Sequence, residues 1–175
     1  MATRYFPQNT DVDAGCNAGA ATGDHDLSTT QGTSTGHTTD TSSMGAFTLI
    51  RSYQVDVTGD SPVFGSQSFD LSVDITALSK SDIRFRLAGV DDTGCVRTNV
   101  SGWQTYLEVA GVGIKTFSLT LDFTAADEDL ELQVEAQNNS AHGGRTVTIN
   151  VQDADTWVDA PWPAAAGGSK QVAIL

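Results

Sequence analysis

The sequence predicts an all-β fold, an antiparallel β-sandwich of the jelly-roll type. Three observations predict it. Residues 46–159 alternate apolar and polar side chains with period 2, which gives each strand one buried and one wet face. Clusters of turn-forming residues interrupt the alternation: TGDSP, ALSKSD, VDDTG, AADED and NNSAHGG. No segment reads as a helix of ordinary length. Parallel strands buried on both faces would give unbroken apolar runs, so the expected strands are antiparallel, and two sheets must pack face to face to cover their apolar sides.

The elements follow in chain order. AFTLIRSYQVDV sets Phe47, Leu49, Tyr53, Val55 and Val57 in alternation, with an irregularity at 50–52. SFDLSVDITAL alternates at Phe69, Leu71, Val73 and Ile75, and DIRFRLAGV at Ile83, Phe85 and Leu87. WQTYLEV is a weaker strand, and AGVGIK after it reads as a hairpin turn. TFSLTLDFT offers Phe117, Leu119, Leu121 and Phe123; DLELQVEAQ offers Leu130, Leu132, Val134 and Ala136. TVTINVQDADTWV closes the series with Val147, Ile149 and Val151. Seven or eight strands in about 115 residues suit a sandwich or jelly roll.

Two flanks differ in composition from this body. Residues 1–45 are rich in Gly, Thr, Ser, Asp and Ala and carry an aromatic pair, Tyr5 and Phe6. Threonine has β propensity, and a disordered linker would carry more Pro, Glu and Lys. The expectation is an extended arm that becomes ordered against the sandwich or a neighbouring subunit. Residues 160–175, APWPAAAGGSKQVAIL, read as a linker and a short apolar tail in which Trp162 clamps against the domain surface. Tyr5, Phe6, Val172, Ile174 and Leu175 are the candidate assembly contacts, the tail being suited to add a strand to an open sheet edge.

Charge narrows the partners. The chain has 22 acidic and 9 basic residues, a net charge of −13. Duplex nucleic acid and anionic membranes are disfavoured, since affinity for either comes from Lys and Arg. No run approaches the roughly 20 apolar residues of a membrane span, and MATRYFPQNTDVDAG contains no apolar signal core. The expected setting is a cytoplasm, or a particle assembled in one. In that setting Cys16 and Cys95 are expected as free thiols; the alternative is one long-range disulfide pinning the N-terminal segment to the body. Asn99-Val100-Ser101 and Asn138-Asn139-Ser140 match the glycosylation pattern, which has meaning only after secretion.

Catalytic signatures are missing. The sequence holds no G-x-S-x-G elbow, P-loop, G-x-G-x-x-G after a strand, or H-E-x-x-H, so a non-enzymatic role is expected. His25, His37 and His142 with Asp24, Asp26 and Asp40 are the residues for a metal test, but adjacent ligands at 24–26 point different ways and no metal or other cofactor is expected. The carboxylate pairs Asp91/Asp92, Asp127/Glu128/Asp129 and Asp153/Asp155 lie in turns, where solvent keeps them ordinary; calcium suits them better than acid–base chemistry. On the wet face, Arg84 and Arg86 flank Phe85, while Asp122, Glu131 and Glu135 point outward. Cross-strand pairing accounts for these charges; an arginine reader of an anionic ligand is the sharper alternative.

Two resemblances follow. From Trp103 to Val158, the order of a tryptophan strand, KTFSLTLDFTAADEDLELQVEAQ, a Gly-containing loop and RTVTINVQDADTWV resembles the later strands of jelly rolls in carbohydrate-binding modules and galactose-binding-like domains. That resemblance implies glycan binding, with Trp103 and Trp157 as candidate stacking residues; core or edge packing is the ordinary role of tryptophans on strands. The second is one of build. The MATRYF start, the Gly/Thr/Ser-rich first quarter, the acidic body and the Gly-linked apolar tail look like virion structural proteins of tailed bacteriophages, head decoration (cement) and tail accessory proteins among them. This implies, as the leading expectation, a non-enzymatic homo-oligomer on a virion that decorates or cements the capsid through extended termini and lattice contacts, with the major capsid protein or another virion protein as partner; a carbohydrate-binding module or a tail adhesion protein is the alternative.

Overall fold

The computed structural model describes residues 2–11, 24–91, 95–125, 127, 129–139 and 145–162. It is all-β. The strands are β1 (Thr3–Asp11), β2 (Asp24–Ser28), β3 (Thr35–Asp40), β4 (Thr48–Asp56), β5 (Gly65–Ser79), β6 (Ser81–Asp91), β7 (Val96–Val100), β8 (Gln104–Tyr106), β9 (Gly113–Phe123), β10 (Asp129–Asn138), β11 (Thr146–Val151) and β12 (Trp157–Ala160). Among the described residues the only helical turn is a 3-10 turn at Glu108–Ala110.

The first sheet runs β3–β11–β5–β12–β1, with β9 along the other side of β5. The second runs β1–β2–β4–β10–β6, and β7 and β8 share the outer side of β6. β1 joins them: Thr3, Arg4 and Tyr5 pair with β12, while Phe6, Pro7 and Asp11 pair with β2. All pairings are antiparallel except β2 with β4, a departure from the purely antiparallel expectation.

The period-2 residues meet between the layers. Phe69, Leu71, Val73 and Ile75 of β5 share one core with Ile83, Phe85 and Leu87 of β6 and with Leu130, Leu132 and Val134 of β10. Each contributes roughly 1.5–3 kcal/mol by leaving water. The irregularity expected at 50–52 is a register shift: Val134 faces Arg51, but the next residue, Glu135, faces Leu49, so Ile50 is skipped. Gly111 and Gly113 of the expected turn both have positive φ, 66° and 108°, a region that glycine enters without strain.

The boundary expected at residue 45 is not where the sandwich begins. The described part of residues 1–45 forms β1, β2 and β3, which are integral to both sheets. Tyr5, expected as an assembly contact, is 1% exposed and belongs to the core; Phe6 is half-buried. The reason is pairing: β1 supplies the hydrogen-bonding edge that β12 and β2 both need. At the other end, Trp162 is fully buried rather than clamped on the surface. Its indole packs edge-on to Phe69 and tilted on Phe123, both at 5.2 Å. Val172, Ile174 and Leu175 lie outside the described residues.

Polar rings fill the closing edge between the sheets. His25, His37 and Tyr53 stack at 4.6–6.1 Å. His37 Nε2 bonds Asn9 Oδ1 at 2.5 Å, and its Nδ1 bonds the Tyr53 hydroxyl at 2.9 Å. Because the amide oxygen only accepts, Nε2 carries the proton and Nδ1 accepts from Tyr53. Burial, with the neighbouring His25 and Arg51, pushes the His37 pKa down to about 4.

Cys95 is disulfide-bonded, which corrects the free-thiol expectation. The only other cysteine in the sequence is Cys16, which lies outside the described residues. The strands flanking it in sequence, β1 and β2, pair in the second sheet, whose β6–β7 connection carries Cys95.

Candidate functional site

The outward face of the second sheet gathers the polar side chains that alternate with the core. Register sets them side by side: Gln54 beside Glu131, Ser52 beside Gln133 beside Arg86, and Glu135 beside Arg84. Glu131 has no exposed surface and Gln133 only 2%. A carboxylate buried this deeply costs several kcal/mol unless its oxygens are satisfied.

They are satisfied by four residues. Oε1 of Glu131 accepts from Ser52 Oγ at 2.5 Å, Arg97 Nη2 at 2.9 Å and Gln54 Nε2 at 3.4 Å. Oε2 accepts from Arg97 Nε at 2.7 Å and Gln133 Nε2 at 3.0 Å. Arg97 stands on β7 and crosses β6 to reach β10. Ala88 and Gly89 on the intervening stretch of β6 present no long side chain. A register shift between Gly89 and Val90 sets Arg97 opposite Val90.

Two further arginines complete the face. Arg84 gives Nε and Nη2 to Glu135 Oε2 at 2.8 and 2.5 Å. Arg86 gives Nε to Gln133 Oε1 at 2.6 Å; its partner across the strand is thus a neutral amide. Burial lowers the pKa of Arg86, which still leaves the guanidinium charged at neutral pH. Trp103 is half-buried against both, with their guanidinium carbons 4.1 and 4.4 Å from its ring centre. Phe47 lies 4.3 Å from that of Arg84. Among the described residues, Arg84 and Arg97 are each paired with a glutamate while Arg86 faces a neutral amide, in a chain of net −13. Asp26 of β2 lies beside Gln54, its carboxyl raised in pKa by burial.

Trp157 stands elsewhere. It lies on β12 in the first sheet, with the Arg4 guanidinium 3.9 Å from its ring centre. Arg4 is held by both oxygens of Asp159 at 2.6 Å. Trp157 lines a shallow depression of about 310 Å3 with Asp70, Leu71, Thr116, Phe117 and Ser118. The two candidate tryptophans therefore belong to different sheets and do not form one site.

Outward charges behave partly as expected. Glu135 pairs with Arg84 across the strands, but Asp122 lies on β9 of the first sheet opposite Ser66. Arg97, Gln133, Ser52 and Gln54 are the residues that sequence reading passes over. The available signal was LELQVE, whose outward positions include Gln133 as well as the two glutamates. Among the described residues no group of three or more His, Cys, Asp or Glu is placed to hold a metal ion. His37 uses both ring nitrogens within the fold, and His142 lies outside the described residues. Asp127 accepts from Thr124 N and Oγ1 at 2.6 and 2.9 Å and from Thr98 Oγ1, which ties down the turn before β10.

No family model matches the chain, and no curated protein matches it. Among solved structures, a CocE/NonD family hydrolase from Staphylococcus aureus is similar to it at 12% identity and a TM-score of 0.49. The match covers 93% of this chain and 37% of the hydrolase.

Proposed function

We propose that this chain is a non-enzymatic glycan-binding module whose binding face is the outward side of the second sheet. The observation that carries the reading is the half-buried Trp103 packed against the guanidinium groups of Arg84 and Arg86, which the partners on β10, Glu135 and Gln133, hold in fixed orientation. A sugar offers an apolar C–H face and a rim of hydroxyls. An aromatic ring with polar groups already oriented by one another meets both needs with little ordering cost. The setting its build resembles is a tailed-phage virion, where such a module would serve adhesion or surface decoration. A glycan array probed with the wild type and Trp103→Ala tests the reading. It expects retained glycans that the variant loses while its melting temperature is unchanged. Absence of any retained glycan defeats it.

A second reading, decoration or cementing of a capsid, is favoured by a different observation. Leu107, Val109, Val112 and Ile114 follow one another around the 3-10 turn and are 50%, 91%, 56% and 54% exposed. A run of large apolar side chains in water suits a contact with a protein neighbour, here the major capsid protein. Val109→Asp with Ile114→Asp would then abolish co-sedimentation with particles and leave glycan binding intact; unchanged co-sedimentation removes this reading.

A further inference from the structure

We infer that the sugar recognised on this face carries a carboxylate, and that Arg86 reads it. This rests on the glycan-binding reading and adds the ligand's chemical class. The three arginines of the face are not equivalent. Arg84 spends its Nε and Nη2 edge on Glu135, and Arg97 spends the same edge on Glu131. Among the described residues Arg86 has only its Nε engaged, by the neutral oxygen of Gln133. Its ion pairs with carboxylates are absent among the described residues, where Arg4, Arg84 and Arg97 each have one.

Gln133 fixes the Arg86 plane, because its own amide nitrogen is committed to Glu131 at 3.0 Å. The guanidinium carbon also lies over the Trp103 ring, 4.4 Å from its centre. The end of the guanidinium formed by Nη1 and Nη2 is left as an oriented pair of donors. A carboxylate matches such a fork with two parallel bonds, whereas a sugar hydroxyl fills one position and returns no charge. The ring beside it offers the apolar surface for the same sugar residue. General attraction does not supply this preference. The chain carries −13 overall and repels polyanions except where a local cation is presented.

The test compares full-length wild type, Arg86→Gln, Arg86→Lys and Trp103→Ala in titrations with oligogalacturonate, alginate oligomers and sialyllactose. Methyl-esterified and carboxyl-reduced counterparts and a sulfated dextran are run beside them. The expected result is binding of at least one acidic sugar at least tenfold tighter than its neutral counterpart. Arg86→Gln and Arg86→Lys should both erase that preference while each still melts in one cooperative transition, the lysine having charge but no fork. Equal binding of the neutral counterparts, unaffected by Arg86→Gln, overturns the inference and leaves the glycan reading standing. Binding of the sulfated dextran alone also overturns it. Failure of every sugar on these titrations and on the array overturns both.

Discussion

The indole Nε1 of Trp162 donates to the Tyr5 hydroxyl at 3.2 Å, joining positions 157 apart in sequence. The hydroxyl in turn donates to Asp60, and Thr3 Oγ1 donates to the Trp162 carbonyl at 2.8 Å. Burial, followed by the Asp60 contact, raises the tyrosine pKa well above its ordinary value. The two ends of the described chain are therefore fastened by two buried hydrogen bonds to Trp162, beside the pairing of β1 with β12 and the ring contacts of the indole with Phe69 and Phe123. Trp162→Ala should destabilise the protein by about 3–5 kcal/mol, the usual cost of emptying a buried aromatic site. Urea unfolding checks it, and a loss under about 1 kcal/mol would mean the indole is not seated in the core.

The Glu131 hub makes a sharper energetic prediction. Glu131→Leu leaves Arg97 without its carboxylate and strands the donors of Ser52 and Gln133, so it should cost about 3 kcal/mol. Adding Arg97→Met should recover part of that loss, because the guanidinium that faced the missing carboxylate goes with it. A double variant less stable than Glu131→Leu alone contradicts the assignment.

The disulfide at Cys95 predicts a redox dependence. With Cys16 as its only available intrachain partner, the cross-link spans 95 − 16 = 79 positions, and in the chain-entropy model such a loop contributes about 4 kcal/mol. Reduction should lower the melting temperature, and a non-reducing peptide map should show the Cys16 and Cys95 peptides linked. Recovery of both cysteines as free thiols from the native protein would exclude the bond.

Acid should loosen the edge where β2 and β3 close the sandwich. His37 is neutral in the fold, with its pKa lowered to about 4, while an unfolded histidine titrates near 6.5. Between those values the unfolded chain binds the extra proton. The stability this site contributes is therefore complete above about pH 6.5, falls as the pH drops toward 4, and levels off below. His25 and Arg51 add to the cost of charging it. Thermal melts from pH 7.5 to 4 should show the decline, and His37→Gln should flatten it. An identical decline in that variant assigns the effect to other groups.

Period-2 alternation made β4, β5, β6, β9, β10 and β11 legible, because their inward residues are large and apolar. It failed for β3, whose inward positions are His37 and Thr39, so the burial alternates while the hydropathy does not. β7 was missed for the opposite reason: as an edge strand on the far side of β6 it has no buried residue. Trp162 looked like part of a linker because prolines flank it, although its aromatic surface decides its place. At the site, the charges at 84, 86, 131 and 135 could be read from outward alternation, and Trp103 from the resemblance to sugar-binding jelly rolls. Arg97 could not, since its reach to Glu131 depends on a register shift and on small residues in the strand between.

The most direct test of the glycan-binding face follows the three tryptophan indole N–H signals by NMR as an array-retained sugar is titrated in. The account predicts that the Trp103 signal moves with saturation while that of buried Trp162 stays in place. Movement of the Trp157 signal alone, or of none, would contradict it.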